Sequence, residues 1–98
     1  MKMTIDMPPV SKCAVTKCAY NLNQGCHARA ITIGDLSNPG CDTYFENSKH
    51  TRAATRVSGV GACKVSDCKY NDDFECNAKA IDVGFAANAV NCLTYVHR

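Results

Sequence analysis

Hydrophobic and polar positions along this chain form the same short pattern twice, about fifty residues apart. Isoleucine or valine occupies alternate positions near the end of residues 28–33, and the same alternation returns in residues 78–83. An apolar residue at every second position is typical of a short, half-buried β-strand. We therefore predict one strand in each of these two segments, and we expect Gly34 and Gly84 to end them.

The segments between these strands predict turns, loops and few other elements. Residues 20–25 and 70–73 are rich in Asn, Asp and Gly, so they predict tight turns. An apolar residue after Thr-Tyr at 43–45 and 94–96 predicts a closing strand in each half. Residues 85–90 contain three alanines and predict a helical turn, where the first half has a Pro-Gly loop.

Cysteine carries the clearest part of the repeat. The first half reads C-x4-C-x7-C-x14-C and the second reads C-x4-C-x7-C-x15-C, which together use all eight cysteines of the chain. A repeat of this length indicates that the unit of structure is the repeat and not the whole chain. The predicted parts are a leader (1–10), a first four-cysteine unit (11–46), a basic connector (47–60) and a second unit (61–98). Within the connector, residues 49–56 predict a turn or two of helix.

The small size of each unit decides the predicted fold class. A unit of roughly 35 residues rarely folds on a hydrophobic core alone, and this chain has no tryptophan. A structural zinc site contributes about 10–16 kcal/mol to the folding of small peptides, whereas one disulfide contributes about 2–4 kcal/mol. We therefore predict a small metal-bound or disulfide-rich protein. Its two tandem, pseudo-symmetric four-cysteine units contain short β-strands, turns and little helix.

The sequence of the amino-terminal residues indicates a reducing compartment, which favours metal binding over disulfides. Residues 1–10 contain Asp6 and a Pro-Pro pair and no run of about 7–15 apolar residues, so they do not resemble a secretory signal. No stretch approaches the roughly 20 apolar residues of a membrane span. We therefore expect a cytoplasmic protein without a membrane partner, whose thiols stay reduced and available to a metal.

Four thiolates are the complete ligand set of a tetrahedral zinc site, which leaves no position for water or substrate. We predict two such structural sites, with one zinc ion in each repeat. Iron–sulfur clusters also use four cysteines, but these spacings match neither ferredoxin pattern, so zinc is favoured over iron. The predicted ligands are Cys13, Cys18, Cys26 and Cys41 in the first repeat and Cys63, Cys68, Cys76 and Cys92 in the second.

No pattern typical of catalysis or of a phosphate-binding loop occurs in the sequence, so we predict that the protein is not an enzyme. His27 directly follows Cys26, but Asn77 takes its place in the second repeat, so we do not predict His27 as a ligand. The formal charge of +2 falls to about −2 once two sites of four thiolates and one divalent zinc are counted. The basic balance is therefore weak support for nucleic-acid binding.

The repeated string C-x4-C-x-Y-N, C-x-A-x-A-I-x-[IV]-G and C-x-T-[YF] resembles a small bacterial cysteine-rich family, domain of unknown function 1540. Two copies cover nearly the whole chain, at about 11–46 and 61–98. The resemblance implies that the eight cysteines bind metal, and it implies no activity. Some members in spore formers are associated with the coat, which implies that a structural role is also open.

Three functions stay open from the sequence. The first is a non-catalytic zinc protein that acts as an interaction or metal-handling module, with a protein partner or self-association. The second is a disulfide-stapled, self-assembling, coat-like protein, in which four cysteines per repeat allow three pairings. The third is weak nucleic-acid binding through Lys49, His50, Arg52 and Arg56 of the connector.

Overall fold

The computed structural model describes residues 7–34, 38–86 and 88–98. These residues form nine short strands and no helix. The described part of the chain therefore contains no helix that is long and apolar enough to cross a membrane. In chain order the strands are β1 (Val10–Cys13), β2 (Asn21–Leu22), β3 (Gly25–Cys26), β4 (Ala30–Ile33), β5 (Gly59–Cys63), β6 (Asn71–Asp72), β7 (Glu75–Cys76), β8 (Ile81–Ala86) and β9 (Ala89–Cys92). The alternation in residues 28–33 and 78–83 correctly predicted β4 and the start of β8.

The two repeats exchange their main strands. β1 of the first repeat runs parallel to β8 of the second, with Val10 opposite Ile81. β5 of the second repeat runs parallel to β4 of the first, with Val60 opposite Ile31. These residues occupy equivalent positions in the two repeats, so the two pairings have the same register and the repeats form a pseudo-symmetric pair. β9 completes a three-stranded sheet by pairing antiparallel to β8.

Apolar side chains from both repeats form one contiguous core. Its most deeply buried members, each only 1–2% exposed, are Val15, Ile31, Val60, Val65 and Ile81. The strand exchange explains this arrangement, because β4 and β8 each bring their inward-facing isoleucine beside a strand of the other repeat. Neither repeat therefore has a core of its own.

A tight hairpin follows the second cysteine in each repeat. β2 pairs with β3, and β6 pairs with β7, so the turns predicted at 20–25 and 70–73 are present. Both turn residues have positive φ in each hairpin, at 54° and 65° for Asn23 and Gln24 and at 55° and 64° for Asp73 and Phe74. Two successive positive φ values define a type I′ turn, whose twist matches that of the flanking strands.

The predicted helix in residues 49–56 is wrong. The connector contains a single turn, in which the Arg56 N–H donates to the Ala53 carbonyl over 3.0 Å. Several of its other backbone groups bond to the first repeat, as when the Thr51 N–H donates to the Ala19 carbonyl over 2.8 Å. These contacts hold the connector against the first repeat in a conformation that a helix could not adopt.

Two further local predictions are wrong. Where a helical turn was predicted at 85–90, Phe85 and Ala86 of β8 lie opposite Val90 and Ala89 of β9, so cross-strand pairing outweighs the helix propensity of alanine. For the same reason Gly84 lies inside β8 instead of ending it, whereas Gly34 does follow the end of β4.

The closing strands predicted at 43–45 and 94–96 are also wrong. Each segment begins in a turn and forms only an isolated bridge beyond it, at Glu46 and at His97. In the first repeat the Tyr44 N–H donates back to the Cys41 carbonyl over 3.3 Å, which is the hydrogen bond of a turn. In both repeats this turn directly follows the fourth cysteine, Cys41 or Cys92.

Candidate metal centres

The four cysteines of each repeat line one small cavity. The first cavity, of about 10 Å³, is lined by Cys13, Cys18, Cys26 and Cys41. The second, of about 20 Å³, is lined by Cys63, Cys68, Cys76 and Cys92. A space of this size holds about one water-sized sphere. The structure therefore brings all eight predicted ligands together as two sets of four.

The hairpins explain how cysteines that are distant in sequence reach one cavity. Cys13 ends β1 and Cys26 ends β3, and the turn between them returns the chain so that the Cys13 N–H donates to the Gln24 carbonyl over 3.0 Å. The buried Asn21 side chain adds a second link, donating to the Cys13 carbonyl over 2.9 Å. Asn71 makes the same 2.9 Å bond to the Cys63 carbonyl in the second repeat.

All eight cysteines are free thiols, and the first two of each repeat are buried. Within residues 7–34, 38–86 and 88–98, no group of three or more His, Cys, Asp or Glu side chains is already arranged to hold a metal ion. The sulfurs share a cavity that admits one small sphere, and zinc requires all four at about 2.3 Å from the ion, so binding would need a rearrangement of these side chains. The donor set and the cavity size fit a metal ion, and the shell needs this adjustment.

The surroundings of the fourth cysteine favour the protonated thiol when no cation is bound. Burial raises the pKa of both Cys41 and Cys92 to about 11. In the first site, the nearby Cys26 and Cys18 also raise the pKa of Cys41, because a second negative charge is unfavourable beside other thiolates. A divalent cation would reverse this balance, since it attracts each thiolate.

Backbone N–H groups are aimed at the same sulfurs. The peptide groups of Thr43 and Tyr44 donate hydrogen bonds to the Cys41 sulfur and lower its pKa, and the two equivalent groups act on Cys92. Such donors stabilise a thiolate without adding a charged side chain. The strand predicted for the Thr-Tyr pair did not indicate this role, although the repetition of the pair after both fourth cysteines was a signal.

The histidines lie outside both sulfur sets. Both ring nitrogens of His27 face backbone carbonyl oxygens, at 2.7 Å from that of Arg56 and 3.2 Å from that of Leu22. The His50 Nδ1–H donates to the Asn21 carbonyl over 2.8 Å. The aromatic residues that do line the cavities are tyrosines, namely Tyr20 and Tyr44 in the first and Tyr70 and Tyr95 in the second.

Comparison with known proteins identifies one family, which matches both repeats. No curated protein and no solved structure gives a significant match. The sequence model of one family matches the chain twice, over residues 12–56 and 62–95. Both matches contain a complete set of four cysteines, and the first extends through the connector to Arg56. Because these matches cover well over half of the chain, the protein belongs to the cysteine-rich family described as Domain of Unknown Function (DUF1540), with two tandem copies.

Proposed function

We propose that the protein is a non-catalytic zinc-binding protein with two structural sites, one in each repeat, and that it serves as a small interaction or metal-handling module. The observation that carries this proposal is the gathering of four thiols around each of two cavities of atomic size. Zinc bound there would cross-link four points of a repeat that has no independent hydrophobic core. The complete thiolate shell argues for a structural site.

The polar surroundings of the sulfurs support a bound cation. Four thiolates and one divalent zinc sum to a charge of −2, and this charge would lie next to the backbone N–H donors at Thr43 and Tyr44. The equivalent donors at Thr94 and Tyr95 act on Cys92 in the second repeat. Charge-assisted hydrogen bonds of this type are stronger than those to a neutral thiol.

The surface supports a role in interaction. The three phenylalanines of the chain are all more than half exposed, at 53% for Phe45 and 61% for both Phe74 and Phe85. By contrast, the basic side chains of the connector are partly used within the protein, since the Arg56 Nε–H donates to the His27 carbonyl over 2.8 Å. This contact favours a protein partner over the phosphate backbone of a nucleic acid.

Elemental analysis combined with native mass spectrometry tests the proposal. We expect two zinc ions per chain and protection of all eight cysteines from alkylation until a chelator is added. The variant His27→Asn, which copies the residue of the second repeat, is the matched control and should retain both ions. A folded chain without metal would refute the proposal, whether its cysteines are freely alkylated or blocked as disulfides. The blocked form would instead support the stapled structural protein.

A further inference from the structure

Each cysteine cavity is completed by side chains of the other repeat. Val83 and Val90 of the second repeat line the first cavity. Ile33 and Pro39 of the first repeat line the second cavity. Val83 and Ile33 are each only 3% exposed, so these contacts are part of the shared core. A site of either repeat is therefore incomplete without its neighbour.

The backbone of the fourth cysteine is also fixed by the other repeat. The Cys41 N–H donates to the Val90 carbonyl over 2.9 Å, and the Cys92 N–H donates to the Pro39 carbonyl over 2.8 Å. Val90 and Pro39 each lie two residues before the fourth cysteine of their own repeat. The link is thus reciprocal, because each chain segment that carries a fourth cysteine holds the other segment in place.

A second reciprocal link lies at the first cysteine of each set. Cys13 is opposite Val83 in the β1–β8 pairing, and Cys63 is opposite Ile33 in the β4–β5 pairing. The residue after each cysteine donates to the same partner, over 2.9 Å from the Ala14 N–H to Val83 and over 2.7 Å from the Lys64 N–H to Ile33. Two of the four ligands in each site are therefore positioned by the opposite repeat.

From these contacts we infer that the two sites load as one cooperative unit, so that metal bound in either repeat raises the metal affinity of the other. This inference rests on the proposed zinc sites. Loss of one site would release the strands that form a wall of the other, and a repeat of roughly 35 residues is too small to hold its sulfurs together alone. The coupling is reciprocal by thermodynamic necessity.

Cooperative loading determines which metal-bound states of the chain are populated. The populated states are a two-metal folded protein and a metal-free unfolded chain, and the one-metal form is rare. The response to free zinc is consequently steeper than that of two independent sites. The positioning residues for this response are Val83 and Val90 for the first site and Ile33 and Pro39 for the second.

Native mass spectrometry of the full chain during a zinc titration measures the coupling directly. At half saturation, independent and equal sites leave about half of the chains with one zinc, whereas a coupling of about 100-fold leaves about a tenth. We expect a one-metal fraction below about a quarter. A fraction of about half, with two zinc ions at saturation, would overturn the inference and leave the proposed function intact. A chain that binds no zinc refutes the proposed function itself.

Two variants locate the coupling. Cys76→Ser removes a ligand of the second site, and we expect it to lower the zinc affinity of the first site at least tenfold. Val83→Ala, a change in the second repeat, should also weaken the first site, while Phe85→Ala on the same strand, where the side chain is 61% exposed, is the matched control. Wild-type affinity of the first site in Cys76→Ser would sink the inference, as would equal effects of Val83→Ala and Phe85→Ala.

Discussion

Replacing Asn21 with alanine removes the side chain that holds the first hairpin to its cavity. Asn21 is only 4% exposed. Its amide donates to the Cys13 carbonyl over 2.9 Å, and its oxygen accepts the Gln24 N–H over 3.2 Å. The two bonds link the end of β1 to the turn that returns the chain to Cys26. The alanine variant should therefore loosen the geometry of the sulfur set as well as the fold.

The expected loss follows from these two hydrogen bonds. A typical buried hydrogen bond contributes about 0.5–1.5 kcal/mol, and a buried acceptor left without its donor costs about 1–3 kcal/mol. We therefore expect Asn21→Ala to lower the free energy of unfolding by about 2–3 kcal/mol. In a domain of this size that corresponds to a fall in melting temperature of about 10–20 °C. Asn71→Ala should lower the free energy of unfolding by less, because the bond to the Cys63 carbonyl, also 2.9 Å, is the one side-chain hydrogen bond that Asn71 makes among the described residues.

Thermal and urea unfolding of the zinc-loaded chain, with zinc content measured in parallel, provides the assay. Asn47→Ala is the control. Among the described residues, this exposed side chain accepts only the Lys49 N–H of its own loop, so its loss should change stability by less than about 0.5 kcal/mol. An Asn21→Ala variant as stable as Asn47→Ala would refute the reasoning. An Asn71→Ala variant that loses more stability than Asn21→Ala would contradict this count of hydrogen bonds.

Three other perturbations each test one feature. Ser58→Ala should leave stability unchanged or raise it by up to about 1 kcal/mol, because the fully buried hydroxyl has no partner among the described residues; a clear loss in urea unfolding would contradict this. Gly34→Ala should lower the free energy of unfolding by more than about 2 kcal/mol, since the φ of Gly34 is 132° and the added Cβ would lie 2.9 Å from the Lys64 backbone nitrogen. In Gly84→Ala the added Cβ would meet the end of the Leu93 side chain, so the loss should be smaller in the same thermal melt. Acidification should release zinc, because burial keeps the pKa of Cys41 and Cys92 at about 11 and protons compete with the cation more strongly as the pH falls; a chelating dye that detects no release between about pH 8 and 5 would count against four-thiolate binding.

Local chemistry explains what the sequence could predict. The period-two alternation before Gly34 and in residues 78–83 predicts strands because an extended backbone places alternate side chains on one face. The polar stretches at 20–25 and 70–73 predict turns because Asn, Asp and Gly tolerate positive φ. The nearly equal cysteine spacing predicts two sets of four thiols. Each set lines one cavity, because the two repeats contain equivalent hairpins.

The wrong and missing predictions have one physical cause, which is that contacts between residues distant in sequence determine these parts of the fold. Nothing in the local pattern of β1 indicates that its partner is β8, because strand pairing across some seventy residues leaves no periodic signal. Phe85 and Ala86 pair with β9 in a strand that also pairs with β1, so that sheet pairing overrides alanine's helix propensity. The connector likewise follows the surface of the first repeat, because its hydrogen bonds there outweigh the helix propensity of residues 49–56.

The two repeats also use different residues for the same structural task. The carbonyl of Asn21 accepts the His50 Nδ1–H from the connector, whereas the equivalent carbonyl of Asn71 accepts a hydrogen bond from the Arg98 guanidinium. Both contacts satisfy a backbone acceptor at the base of a hairpin, and neither depends on the identity of the donor. The cysteines show no such variation, since all four recur in both repeats, as the proposed four-thiolate shell would require. The internal repeat is therefore strict at the sulfurs and loose at the surface, and this is the pattern expected if the metal centres hold the fold while the exposed faces of the two repeats contact different partners.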